Sequence, residues 1–146
     1  MIVVGQAPGP STDPAEPLSG ASGRRLASLC GLDLPDFLAR FERVNLLTTY
    51  PGRLGKGDAF PMAFAREAAA AMAERVTSRR ITVMLGLNVA RAFGMQRLTF
   101  FELTRLPHGY VVVAPHPSGV SHWWNDPSNV SLARLFWRAL AEGLGP

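Results

Sequence analysis

Four short apolar runs, at residues 2–4, 44–47, 81–85 and 110–114, divide the chain, and loops rich in glycine or proline follow them. Runs of this length without polar alternation suit strands buried on both faces. Helix-forming stretches lie between them. Ser22 is placed to cap a helix whose apolar face is Leu26, Leu29 and Cys30 and whose stop is Gly31. A short helix over 35–41, an alanine-rich helix over 61–76 with Pro61 in its first turn, a short helix over 88–93 and an amphipathic helix over 128–143 follow. Strands alternating with helices predict an α/β fold: one domain over 1–146, with a central, mostly parallel four-stranded sheet and helices on both faces. The length of 146 residues suits one core and is short for two.

In such sheets ligands bind outside the carboxyl ends of the strands. The loops after Val4, Leu47, Leu85 and Ala114 are therefore expected to share one crevice. The first of them, over 6–20, holds Pro8, Pro10, Pro14 and Pro17, which forbid a helix, and loops this long inside one domain are usually functional.

Several function classes are disfavoured by composition. No apolar run is long enough to cross a bilayer, and the opening Met1-Ile2-Val3-Val4-Gly5 has no basic leader segment, so a cytoplasmic protein is expected. A single cysteine, Cys30, allows no intramolecular disulfide and no cysteine cluster, and a buried helical position is expected for it. His108, His116 and His122 lack metalloprotease spacing, so no metal and no cofactor are expected. Gly52 to Gly57 with Lys56 departs from a phosphate loop, because Tyr50 stands where its first glycine is required and Gly57 where its Ser/Thr is, and no Gly-x-Ser-x-Gly elbow occurs. Fifteen basic residues against eleven acidic give a net charge of +4, and Lys56 is the one lysine among the fifteen. Arginine's planar fork suits phosphate, which favours a polyanionic partner.

Three loop segments remain: Gly5-Gln6-Ala7-Pro8-Gly9 after the first strand, Asn45 in the second, and Ala114-Pro115-His116-Pro117-Ser118 after the last. With Pro17-Leu18-Ser19-Gly20-Ala21-Ser22-Gly23-Arg24 leading into the first helix, their order and spacing resemble the uracil-DNA glycosylase superfamily over nearly the whole chain. The layout is closest to the short, family-four-like branch, without its cluster cysteines. The resemblance implies a monofunctional DNA glycosylase that turns a nucleotide out of the stack and hydrolyses its N-glycosidic bond, leaving an abasic site. DNA is the implied partner, the protein acts as a monomer, and no membrane is involved.

Carried over residue by residue, the resemblance assigns His116 to the oxygen of the departing base and Asn45 to the base edge, since an amide both donates and accepts. Gln6 and the backbone at Ala7 border the sugar and the attacking water. Several families of the superfamily carry Asp or Asn at the position of Ala7, and the iron-sulfur families often have Glu where Gln6 stands, so the water-activating group is open here, with Asp13, Glu16 and the substrate as candidates. Leu18 stands where many relatives stack a phenylalanine on uracil. Losing that wall points to a modified or damaged pyrimidine, including bulky phage-type bases such as hydroxymethylated or glucosylated cytosine, and hence to a bacterial defence role. Ordinary uracil excision in base-excision repair stays open, as do a non-catalytic DNA-binding module and a hydrolase of free nucleotides. DNA contacts are expected from Ser22, Arg24, Arg25, Lys56 and Ser118, and from Trp123 or Trp124 as a wedge, one tryptophan packed and one exposed.

Overall fold

The computed structural model describes residues 1–96, 98–119 and 121–144. Val120, in the stretch after His116, lies outside the described residues, as do Arg97 and the last two positions. Strands β1 (Ile2–Gly5), β2 (Glu42–Asn45), β5 (Ile81–Leu85), β6 (Leu103–Leu106) and β7 (Gly109–Ala114) form the main sheet in the order β2-β1-β5-β7-β6. The first four in that order run parallel, and β6 is antiparallel to β7. The sheet thus has five strands where the apolar runs predict four. The fifth escapes notice because Leu103-Thr104-Arg105-Leu106 is a mostly exposed edge strand with no continuous apolar run. A second correction concerns β2, which begins two residues earlier than expected. Its pairing to β1 continues past its end, where Leu46 and Leu47 donate to the carbonyls of Gly5 and Gln6 at 2.9 Å. The segment expected as loop before the alanine-rich helix also folds, into a hairpin of β3 (Arg53–Leu54) and β4 (Gly57–Asp58).

Among the described residues five α-helices complete the fold: α1 (Ala21–Cys30), α2 (Leu34–Arg40), α3 (Met62–Thr77), α4 (Leu87–Ala92) and α5 (Pro127–Ala141). Alternating strand residues feed the two faces of the sheet. Val3, Val83 and Val112 join α1, α2 and α5 on one side, while Val4, Met84 and Val113 join α3 and α4 on the other. Thr82, fully buried among these, donates its hydroxyl to the Val76 carbonyl at 2.7 Å, so its burial leaves no unmet polar atom. Gly31 closes α1 in the left-handed conformation, and Cys30 is buried with its thiol pushed up to about 12 by burial, which makes it inert as a nucleophile. Ser22 does not cap α1. The cap position is Gly20, with no side-chain bond, because the helix begins one residue before Ser22.

At the amino end of the sheet, Glu42 accepts from Arg75 and Arg79 of the α3 terminus at 2.8 to 3.2 Å. The guanidinium of Arg79 contributes most to holding the Glu42 carboxyl below its usual value. A depressed folded value means the stabilisation is present above the unfolded carboxylate range and lost as pH falls through the folded value. Glu42→Gln is therefore expected to lower the melting temperature slightly at neutral pH and to flatten its decline in acid. A melting series against pH checks both, and an unaltered series contradicts the clamp.

Candidate functional site

The sheet order reverses around β1, whose two neighbours are β2 and β5, and the loops leaving their carboxyl ends open together on one side. A cavity of about 280 Å³ lies there, bordered by Gln6 to Thr12, Leu18, Ser22, Asn45, Asp58, His116 and Ser118. A second hollow of about 380 Å³ adjoins it, bordered by Gln6, Asp58, His116 and Ser118 again and by Arg53, Lys56, Asn88 and Ser121. Four shared residues make the two hollows one crevice with an inner and an outer part.

Asn45 ends β2 in register with Gly5 of β1, and only a residue without a side chain fits beside it: a Cβ on Gly5 would meet the Asn45 Oδ1 at 2.5 Å. Asn45 is 7% exposed as a residue and borders the inner cavity, and no side-chain hydrogen bond of its amide occurs among the described residues, so what exposure it has lies toward that cavity. Both ends of the amide are free for a ligand that offers an acceptor and a donor.

His116 follows β7 and lies over Gly86 at the end of β5. The Ser118 backbone N–H donates to its Nδ1 at 3.3 Å. That bond selects the tautomer with the proton on Nε2, leaving the other ring nitrogen as a donor. Burial holds the imidazole below its ordinary value, opposed by the Asp58 carboxylate, so the ring is neutral at pH 7. The loop itself is fixed from beneath. Trp124 donates its indole N–H to the His116 carbonyl at 2.8 Å, and Arg25 donates to the Pro117 carbonyl at 3.1 Å while lying 4.7 Å over the Trp124 ring.

These contacts change several expected roles. Trp124 is 8% exposed and supports the His116 loop, so it is not a wedge; its place in the short 3₁₀ turn His122–Asn125 turns it inward. Trp123 is half-buried against Phe100 and Phe101, so neither tryptophan projects freely. Arg25 is spent on the loop carbonyl and the indole face, whereas Arg24 is exposed on α1. Asp13 does not border the crevice. It is exposed and accepts from the Ala15 N–H at 2.8 Å, closing its own turn. The inner cavity does bring together Gln6, Ala7, Leu18, Ser22, Asn45, His116 and Ser118, and the outer part takes in Lys56.

Leu18 has φ of 62°, an uncommon left-handed conformation for a branched side chain. Its loop is held by Arg43, which donates to the Pro17 carbonyl at 2.8 Å. The residue that sequence reasoning passed over is Asp58. It belongs to no recognised motif and reaches the crevice only because the β3–β4 hairpin folds back over the cavity; among the described residues it is the one carboxylate bordering either hollow. No group of three or more His, Cys, Asp or Glu side chains that could hold a metal occurs among the described residues. Nor is any helix long and apolar enough to cross a membrane.

Comparison with known proteins adds a family. A family model described as the Uracil DNA glycosylase superfamily matches residues 1–141. No curated protein sequence matches the chain.

Proposed function

The chain belongs to the uracil-DNA glycosylase superfamily, whose members are generally DNA glycosylases, and from that premise we propose that it is a monofunctional glycosylase acting on a modified pyrimidine in DNA. The observation that carries this reading is that the Asn45 amide, engaged by no side-chain bond among the described residues, and the neutral, Nε2-protonated ring of His116 line one cavity. A pyrimidine edge offers the Asn45 amide both an acceptor and a donor. The carbonyl oxygen next to the glycosidic nitrogen gathers negative charge as the bond breaks, and the His116 Nε2–H meets it there. A fixed donor aimed at developing charge is worth more in a dehydrated pocket than in water, and a neutral ring spends no proton to provide it. Gln6 and the Ala7 backbone stand beside the sugar.

Substrate size follows from the wall and the outer hollow. Leu18 leaves the inner cavity without an aromatic stacking surface, and the adjoining polar space holds Arg53, Lys56, Asn88 and Ser121. A substituent at the pyrimidine's 5 position, hydroxymethyl or a hydroxyl-rich group built on it, suits that space better than bare uracil. Leu18→Phe is accordingly expected to raise turnover on uracil and lower it on the larger base. Phenylalanine at the same left-handed φ carries a backbone cost similar to that of leucine, so stability should change little. Unchanged turnover on both substrates counts against the pocket argument.

DNA binding rests on exposed Arg24, on Arg53 and Lys56 at the hairpin, and on Ser22 and Ser118 at the rim. The reaction class is tested by product analysis of an end-labelled duplex. The reading predicts an intact strand that breaks only after alkali, the mark of an abasic site. Breakage without alkali, or borohydride trapping of the protein on DNA through Lys56, contradicts the monofunctional assignment. DNA that is bound in a salt-dependent way but keeps all its bases supports the alternative, a binding module.

A further inference from the structure

Resting on that glycosylase reading, we infer that Asp58, carried over the crevice by the β3–β4 hairpin, is the base that activates the attacking water. The neighbouring positions leave the task unfilled: Gln6 is a neutral amide, Ala7 has no functional group, and the Asp13 carboxylate closes a turn outside the cavity. Asp58 borders both the inner and the outer hollow in company with Gln6 and His116. It is near enough to His116 for its charge to act on the ring. Its orientation is set by Tyr50, whose hydroxyl donates to Oδ1 at 3.1 Å. No other hydrogen bond to the Asp58 carboxylate occurs among the described residues, so Oδ2 is available to a water molecule.

The step balances without any co-reactant beyond water. As the bond from C1′ to the base nitrogen breaks, its electron pair leaves with the base, whose carbonyl oxygen is held by the His116 Nε2–H. The water oxygen forms the new bond to C1′, and the proton it sheds passes to the Asp58 carboxylate. The same carboxylate, negative before that transfer, stabilises the positive charge that builds on the sugar while His116 faces the departing base. The developing negative charge thus meets the His116 N–H and the developing positive charge the Asp58 carboxylate within one crevice.

The test is single-turnover base release by the full chain from duplexes carrying uracil, 5-hydroxymethyluracil, 5-hydroxymethylcytosine or glucosylated 5-hydroxymethylcytosine, with DNA affinity measured alongside. Asp58→Asn is expected to slow release by about 100-fold or more. Its affinity for the same duplex should be unchanged or tighter, because a negative charge near DNA is removed. Tyr50→Phe should slow release by a smaller factor at unchanged DNA affinity. Asp58→Asn releasing base at the unaltered rate overturns the assignment while leaving the glycosylase reading intact. A slowed rate matched by an equal loss of DNA affinity also overturns it, since the carboxylate would then only shape the hairpin. Absence of release by the unaltered protein from all four duplexes overturns the glycosylase reading and the assignment with it.

Discussion

His116→Ala is expected to slow base release by about 100- to 1,000-fold, the loss seen when one donor to a developing oxyanion is removed. The fold should survive the change. The loop that carries His116 is held by backbone carbonyls, those of His116 and Pro117, which accept from Trp124 and Arg25. Truncating the imidazole removes neither bond. What is lost is the Nε2–H, whose availability depends on the Ser118 N–H occupying Nδ1. His116→Asn can restore a donor without the ring's reach, so a partial recovery is expected. The pH behaviour follows with its sign. Burial keeps the ring's folded value below the ordinary histidine value, so the neutral form dominates at pH 7 and is lost only on acidification. Release should therefore hold steady from pH 7 upward as far as this group is concerned. An optimum on the acid side that requires a charged imidazole would contradict the assigned tautomer. The check is a rate-against-pH series on both proteins with a melting curve for each.

Gly23→Ala is the second large effect, and helix propensity alone predicts the opposite sign. Alanine inside α1 should gain about 1 kcal/mol over glycine. Here a Cβ on Gly23 would lie 1.6 Å from the Leu18 carbonyl oxygen, and 2.7 Å from the carbonyl carbon. No side-chain rotation relieves a collision with backbone, so either α1 or the loop over 17–19 must move. That loop is pinned by the Arg43 bond to Pro17 and carries Leu18 into the inner cavity. The expected result is a loss of about 3 kcal/mol, or a melting temperature lower by about 10 °C, together with weakened base release because the cavity wall shifts. Ser28→Ala, at an exposed position of the same helix, separates propensity from collision and should be neutral or slightly stabilising. Full stability and full activity in Gly23→Ala would show that the approach of Leu18 to α1 is not as close as described.

Much of the architecture was legible because its signals are local. The apolar runs at 2–4, 81–85 and 110–114 are strands buried on both faces, and such strands need no alternation to be recognised. Gly31 stops α1 as its position suggests, and the prolines keep the stretch after Gln6 free of α-helix as far as Gly20. Less legible were features that depend on what packs above a segment. Strand β6 is held by its bonds to β7 and not by burial, so its polar, exposed residues gave no apolar signal. The tryptophan pair shows the same limit. One indole packed and one exposed as a DNA wedge is the expectation for the adjacent pair; the 3₁₀ turn directs Trp124 under the loop, where its N–H satisfies the His116 carbonyl, but Trp123 packs half-buried on Phe100 and Phe101.

The site divides along that line too. His116, Asn45, Gln6, Ala7, Leu18 and Ser118 are reached through the resemblance to the family's motifs, and they border the inner cavity. Asp58 was not reached, because its approach comes from a hairpin whose tip, Leu54 to Lys56, is exposed and carries no motif. The one available hint is chemical: the first motif lacks a water-activating group, which leaves Asp13, Glu16 and the substrate as candidates. The Asp13 carboxylate is engaged by the Ala15 N–H two residues on, a turn that aspartate forms readily.

The central claim, that this crevice cuts a pyrimidine from DNA, is tested most directly by mass spectrometry of the free base released from duplex and single-stranded DNA bearing uracil or the three 5-substituted pyrimidines above. The account predicts one intact base of defined mass, released by the unaltered protein and not detectably by His116→Ala at the same time points. No free base from any substrate, with the DNA still bound by the protein, would contradict it.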